Sequence, residues 1–260
     1  MSGLRYWDWA RPAVAAVLLV LLWQAGVTLF DVPAWKLPAP SAIAVELFNS
    51  RALFARHTWV TFQEAAIGFA VAFALGVVVA GLIASSFSFR RVVYPMVIAS
   101  QTIPTIVIAP LLLIWIGYGL APKVVVVVLI TFFPIVVNTV DGLGATDPDM
   151  VRMMRTMGAA RRQIFFKVRV PGALPFVFSG TKIAITFSVI GAVIGEWVGS
   201  NAGLGYLTRS SVPLFLTARS FGAVVLLAAM GIALFLAAAL LERRVLRWQR
   251  AGNRRGAEAA

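Results

Sequence analysis

Five stretches of this chain, residues 12–30, 65–89, 92–122, 124–140 and 220–241, contain no charged side chain, and a sixth, 176–198, contains only Lys182 and Glu196. In a hydrocarbon layer about 30 Å thick, backbone amides and carbonyls must find partners within their own segment, so a chain with runs of this length crosses as helices of about 20 residues. The composition agrees, with 60% hydrophobic and 13% charged residues and a mean hydropathy of +0.90. The expected fold class is therefore all-α, a polytopic membrane protein with about six transmembrane helices. It is expected to be a single domain over residues 1–260, with one long loop at 141–175.

The third run is too long for one straight crossing and holds Pro95, Pro104 and Pro110. A kinked or interrupted helix is expected there, leading into the Gly-rich turn before Lys123. The first run has the apolar look of a signal-peptide core, but no small-residue cleavage site follows it at Asp31, and a retained helix is expected.

The basic residues set the orientation, because Lys and Arg accumulate in loops on the cytoplasmic side. With both termini inside, 16 of the 23 fall in inner segments, six (Lys36, Arg51, Arg56, Lys123, Arg209 and Arg219) in outer segments and Lys182 in a span. Both termini and the 141–175 loop are expected to be cytoplasmic. The net charge of +13 follows from this topology and from contact with the lipid bilayer, and no nucleic-acid partner is expected. With no cysteine and one histidine, His57, in the loop before the second span, thiol chemistry is excluded and no metal site or cofactor is expected; His57 reads as a solvated loop residue.

Small residues recur every fourth position in the second span (Gly68, Ala72, Gly76, Ala80, Ala84) and in the fifth (Gly191, Gly195, Gly199). Such stripes allow close helix contact, so Gly191, Gly195, Glu196 and Gly199 are candidates for the packing face or translocation path. The ten carboxylates are dispersed, with no close pair expected at membrane depth, and no phosphate-binding loop, zinc motif or nucleophile elbow occurs. No enzyme activity is expected, and uphill transport would have to draw on another subunit or on an ion gradient.

The 141–175 loop is longer than a connector needs. Asp147 is placed to cap a helix whose first turn contains Pro148 and Asp149. Met150, Met154 and Met157 share one face of that helix, and Gly158 with Ala159 permits a sharp turn before a second basic piece ended by Pro171 and Pro175. A short apolar and basic helix of this kind suits either a protein groove or an anionic lipid surface.

From Asp141 to Pro175 the sequence resembles the cytoplasmic signature loop of permease subunits in bacterial binding-protein-dependent ABC importers: E-A-A, three residues, G, nine residues, an aliphatic residue, one residue, L-P. Gly158, Val168, Val170 and Pro171 fill the later positions, whereas Arg152, Met153 and Met154 replace E-A-A, so that glutamate's role is not carried over. The stretch IGEWVGSNAGLGYL at 194–207 resembles the end of span five in the subgroup importing nitrate, sulfonates, taurine and pyrimidine or flavin vitamin precursors.

The resemblance implies the type I importer permease fold in the bacterial cytoplasmic (inner) membrane. It also implies two cytoplasmic ABC ATPase subunits, an extracytoplasmic solute-binding protein and a second copy of this chain. The ATPase-coupling residues would be Arg152, Met154, Arg155, Met157, Gly158, Ala159, Arg161, Arg162 and Pro171. For the cargo, a vitamin-precursor-like heterocycle is slightly preferred over a sulfonate. The alternative is a secondary transporter or channel, with Lys182 and Glu196 as candidate ion-coupling residues.

Overall fold

A computed structural model describes residues 4–247, and all of its regular elements are helical. Arg250, Arg254 and Arg255, part of the charge count above, lie outside the described residues, as do both chain ends. The helices are α1 Leu4–Leu29, α2 Pro40–Asn49, α3 Arg51–Ser85, α4 Phe87–Ser100, α5 Thr105–Ile116, α6 Leu120–Gly144, α7 Pro148–Thr156, α8 Arg161–Ile164, α9 Val170–Gly199, α10 Leu204–Ser211 and α11 Thr217–Val245. Among the described residues, α3, α6, the continuous helix Arg161–Gly199 and α11 are long and apolar enough to cross a membrane. The α4–α5 pair makes a fifth candidate, and Val14–Leu29 is a shorter apolar helix.

The expected interruption of the third run falls between α4 and α5, which are bent by 96°. Pro104 sits at the N-cap of α5 in an extended conformation, since its ring removes the amide that a continuous helix would use. Gly117 and Gly119 then turn the chain at φ +91° and +124°, a region side chains avoid.

The chain divides into two compact units. The first holds Met1–Val60 and Ala202–Leu227. Within it, Arg219 Nε meets Glu46 Oε1 at 2.8 Å, and Gly222 lies against Phe54 and Leu47. His57 corrects the sequence expectation: it is 7% exposed, Gly203 N–H donates to its Nδ1 at 2.9 Å, and its ring stacks on Tyr206. The helix α3 starts at Arg51, well before the apolar run, and so draws His57 out of the expected loop. The short helix α2 was not foreseen either.

The second unit holds Thr61–Asn201 and the chain from Ala228 on. Its register can be read from the glycines. Gly68 is set against Val127 and Gly76 against Ile135, while Glu64 reaches Lys123. The separation along the chain is the same 59 residues in all three pairs, so α3 and α6 run parallel. Two parallel neighbours require the chain between them to cross back once, and the bent α4–α5 pair is therefore one crossing. On the other side of α6, Gly142 faces Phe176 and Ala173, Gly180 faces Asn138 and Pro134, Gly191 faces Val127 and Gly195 faces Lys123. There the numbers rise on one helix as they fall on the other, so α6 and α9 are antiparallel. A Cβ on Gly180 would stand 2.7 Å from the Pro134 carbonyl oxygen and one on Gly191 2.9 Å from Val127 Cα. At Gly180 and Gly191 the backbones of α6 and α9 touch, while Gly68 and Gly76 of α3 lie against the Val127 and Ile135 side chains of α6.

One boundary differs from expectation. Pro171 and Pro175 do not end the second basic piece, because helix runs unbroken from Arg161 to Gly199. Residues Phe165–Arg169 form a π turn in which Val170 N–H reaches Phe165 O. This wider turn sits immediately before Pro171, where the missing amide and the ring would disturb a regular α ladder.

Candidate functional site

The second unit places sequence-distant ionisable residues together at one end of α6. Lys123, in the first turn of α6, donates from Nζ to Glu64 Oε1 of α3 at 2.6 Å and to Ser200 Oγ, just past α9, at 2.7 Å. Thr61 Oγ1 of α3 donates to Glu196 Oε1 of α9 at 2.6 Å, and the Glu196 carboxyl lies beside that of Glu64. Glu196 is 0%, Glu64 1% and Lys123 8% exposed. A buried charge is tolerated only when paired and hydrogen-bonded, so three helices are tied at one level.

This cluster overturns two sequence readings. The carboxylates are not all dispersed, since Glu64 and Glu196 meet through the parallel and antiparallel packing of α3 and α9 on α6. Glu196 is enclosed between helices, and Gly195 beside it packs on Lys123. Gly191 packs on Val127 and Gly199 on Leu113. Lys123, counted above among outer-loop residues, belongs to a helix and is buried. Lys182 also has a counter-ion, Glu242 Oε2 at 2.8 Å, so neither residue offered for ion coupling stands alone.

The predicted loop helix is α7. Asp147 Oδ1 accepts from Asp149 N–H at 2.8 Å, and Pro148 occupies the first helical position. At the other end Ala159 N–H reaches Met154 O and Gly158 N–H reaches Arg155 O, both at 3.0 Å, with Gly158 at φ +79°. That pair of bonds is a Schellman closure, which needs a left-handed residue at Gly158. Val151, 8% exposed, anchors the helix, and Met154 is half-buried. The outward face consists of Met150, Met153 and Met157, exposed at 48%, 54% and 75%. Met153 thus takes the outward place that the sequence spacing gave to Met154.

Arg152 pairs with Asp149 at 3.1 Å on the surface. Arg155, Arg161 and Arg162 are exposed and Ala159 is half-buried. Gln163 Oε1 accepts from Ala160 N–H at 2.9 Å, starting the next helix. Pro171 lies in the first turn of α9, and Ile164, 4% exposed, fixes this piece to the body. The loop residues Arg152 to Arg162 are therefore gathered on one projection, with Pro171 behind it, while Gly191, Gly195, Glu196 and Gly199 lie along α9 away from it.

Residues 72–247 match the family described as binding-protein-dependent transport system inner membrane component. The chain belongs to that family. It is a permease subunit of an ABC importer, an inner-membrane protein that works with ATPase and binding-protein partners. The permease is 38% identical to the formylaminopyrimidine transport permease protein ThiX of Halalkalibacterium halodurans over 92% of this chain and 96% of that one. It is 36% identical to the riboflavin transport system permease protein RibX of Chloroflexus aurantiacus over 96% of this chain and 94% of that one. Its fold is that of the inward-facing MetNI methionine ABC transporter, with a TM-score of 0.67 at 23% identity, over 76% of this chain and 98% of that one.

Proposed function

We propose that the permease works as a homodimer that passes a small flat heterocycle, of the pyrimidine or flavin-precursor kind, across the inner membrane, with α7 as the element that receives the push of the ATPase. The observation that carries the coupling role is the outward face of Met150, Met153 and Met157 on a helix closed at both ends by its own caps. An apolar face on so short a helix is held here because Val151 anchors it from behind, and flexible methionines suit a groove in a moving partner. The excess of Lys and Arg in the inner segments supports a cytoplasmic position for α7 and both termini. The cargo reading rests on the two relatives named for formylaminopyrimidine and riboflavin transport.

Purified permease alone should not hydrolyse ATP. Reconstituted with its ATPase and binding protein, it should show hydrolysis stimulated by binding protein loaded with a formylated aminopyrimidine, and no such stimulation with taurine. Stimulation by taurine in place of the heterocycle would overturn the cargo assignment, and robust turnover by the isolated chain would overturn the division of labour.

A further inference from the structure

Four arginines of the second unit, Arg155, Arg161, Arg162 and Arg169, surround one cavity of about 580 Å³, together with Ser85 and an apolar wall that includes Phe166. Elsewhere the basic side chains of this unit that meet a carboxylate do so within 3.1 Å, as Lys123, Arg152 and Lys182 do. None of the four cavity arginines forms an ion pair or a side-chain hydrogen bond among the described residues, and Arg162 lies 5.9 Å from the centre of the Phe166 ring. Water screens the repulsion among the exposed Arg155, Arg161 and Arg162, but Arg169 is half-buried, which raises the cost of leaving its charge uncompensated and favours an entering anion.

The position narrows the anion. Ser85 ends α3 within the last residues of the charge-free run 65–89, just before Arg90 and Arg91, so the cavity lies toward the end of that run, where hydrocarbon gives way to headgroups. Nearby Phe87 is 71% exposed with the Arg91 guanidinium 4.4 Å from its ring, a pairing suited to an interface that is apolar on one side and anionic on the other. Arginine forks bind phosphate oxygens two at a time. Apolar residues on the same wall, and a volume far larger than one phosphate, call for an amphiphile. We propose that this cavity binds the phosphodiester headgroup of an anionic phospholipid. An acidic side chain of the ATPase is the competing occupant, and it fits the apolar wall at the end of a membrane-crossing helix less well.

The assembled transporter, purified in detergent and stripped of lipid, is titrated with phosphatidylglycerol or phosphatidylcholine of matched acyl chains, and bound lipid is counted by native mass spectrometry. Phosphatidylglycerol should be retained at least ten-fold more tightly. Arg169→Gln combined with Ser85→Ala should remove most of that preference, and Arg169→Lys should keep part of it. All three substitutions lie outside α7, so the ATPase should still co-purify, which reports an intact fold and keeps this test separate from the coupling role. Equal retention of the two lipids, or unchanged phosphatidylglycerol retention in the double variant, overturns the proposal. So does complete displacement of the lipid by millimolar inorganic phosphate, which would assign the site to a free anion. Loss of the ATPase with lipid retention intact would assign the arginines to the ATPase instead, and loss of both without recovery by Arg169→Lys also counts against the lipid.

Discussion

Where α6 begins, at Leu120, the ionisable side chains are enclosed and paired: Lys123 with Glu64, and Glu196 with Thr61. Where α6 gives way to α7, they are exposed, and Arg155, Arg161 and Arg162 have no counter-ion among the described residues. The apolar side chains follow the same contrast, with closely packed glycines at Lys123 and outward methionines at α7. One end has satisfied its groups within the chain and can hold three helices at fixed register. The other has left charge and apolar surface for something outside the chain, as a subunit driven by a partner requires.

The largest effect on stability is expected at the paired end. Lys123→Met leaves Glu64 buried without its cation, and breaking one side of a buried pair costs about 3–5 kcal/mol. The variant should show a large drop in the unfolding temperature of the detergent-solubilised permease. Adding Glu64→Leu should restore much of the loss, because the uncompensated charge is gone. A single variant as stable as wild type would show that the pair does not hold the helices.

A smaller effect is expected along the α6–α9 contact. Gly180→Ala puts a methyl 2.7 Å from a backbone carbonyl, whereas Gly195→Ala meets Lys123 Cα and Cβ at 3.1 Å. Overpacking of this sort costs about 1–3 kcal/mol. In the same thermal assay Gly180→Ala should lose more than Gly195→Ala. The reverse order would contradict the register deduced from the glycine contacts.

Much of this was legible in the sequence, and for identifiable reasons. Charge-free runs mark the crossings, Pro104 marks the break, and Asp147 with Pro148 marks the start of α7, because each acts through the chain within a few residues of itself. The small-residue stripes gave the packing face but not its partner. Glu64, Lys123 and Glu196 were missed as a group because only the packing of α3 and α9 on α6 unites them. The constant spacing of Glu64, Gly68, Ala72 and Gly76, a carboxylate in step with the stripe, was the available signal. His57 was misplaced because α3 extends beyond its apolar stretch, and Pro171 was misread because a π turn absorbs it.

The smallest effect on folding should carry the largest effect on transport. A Cβ on Gly158 meets nothing within 4 Å, so the penalty of Gly158→Val is the left-handed backbone alone, about 1–2 kcal/mol, spent locally on the turn that presents α7. The permease should still insert and dimerise. The direct measurement is ATPase co-purification together with solute uptake in reconstituted vesicles. If α7 couples the ATPase to the crossing helices, Gly158→Val loses its ATPase, or hydrolyses ATP with uptake reduced at least ten-fold, at normal permease abundance. A Gly158→Val permease that keeps its ATPase and full uptake would contradict the account.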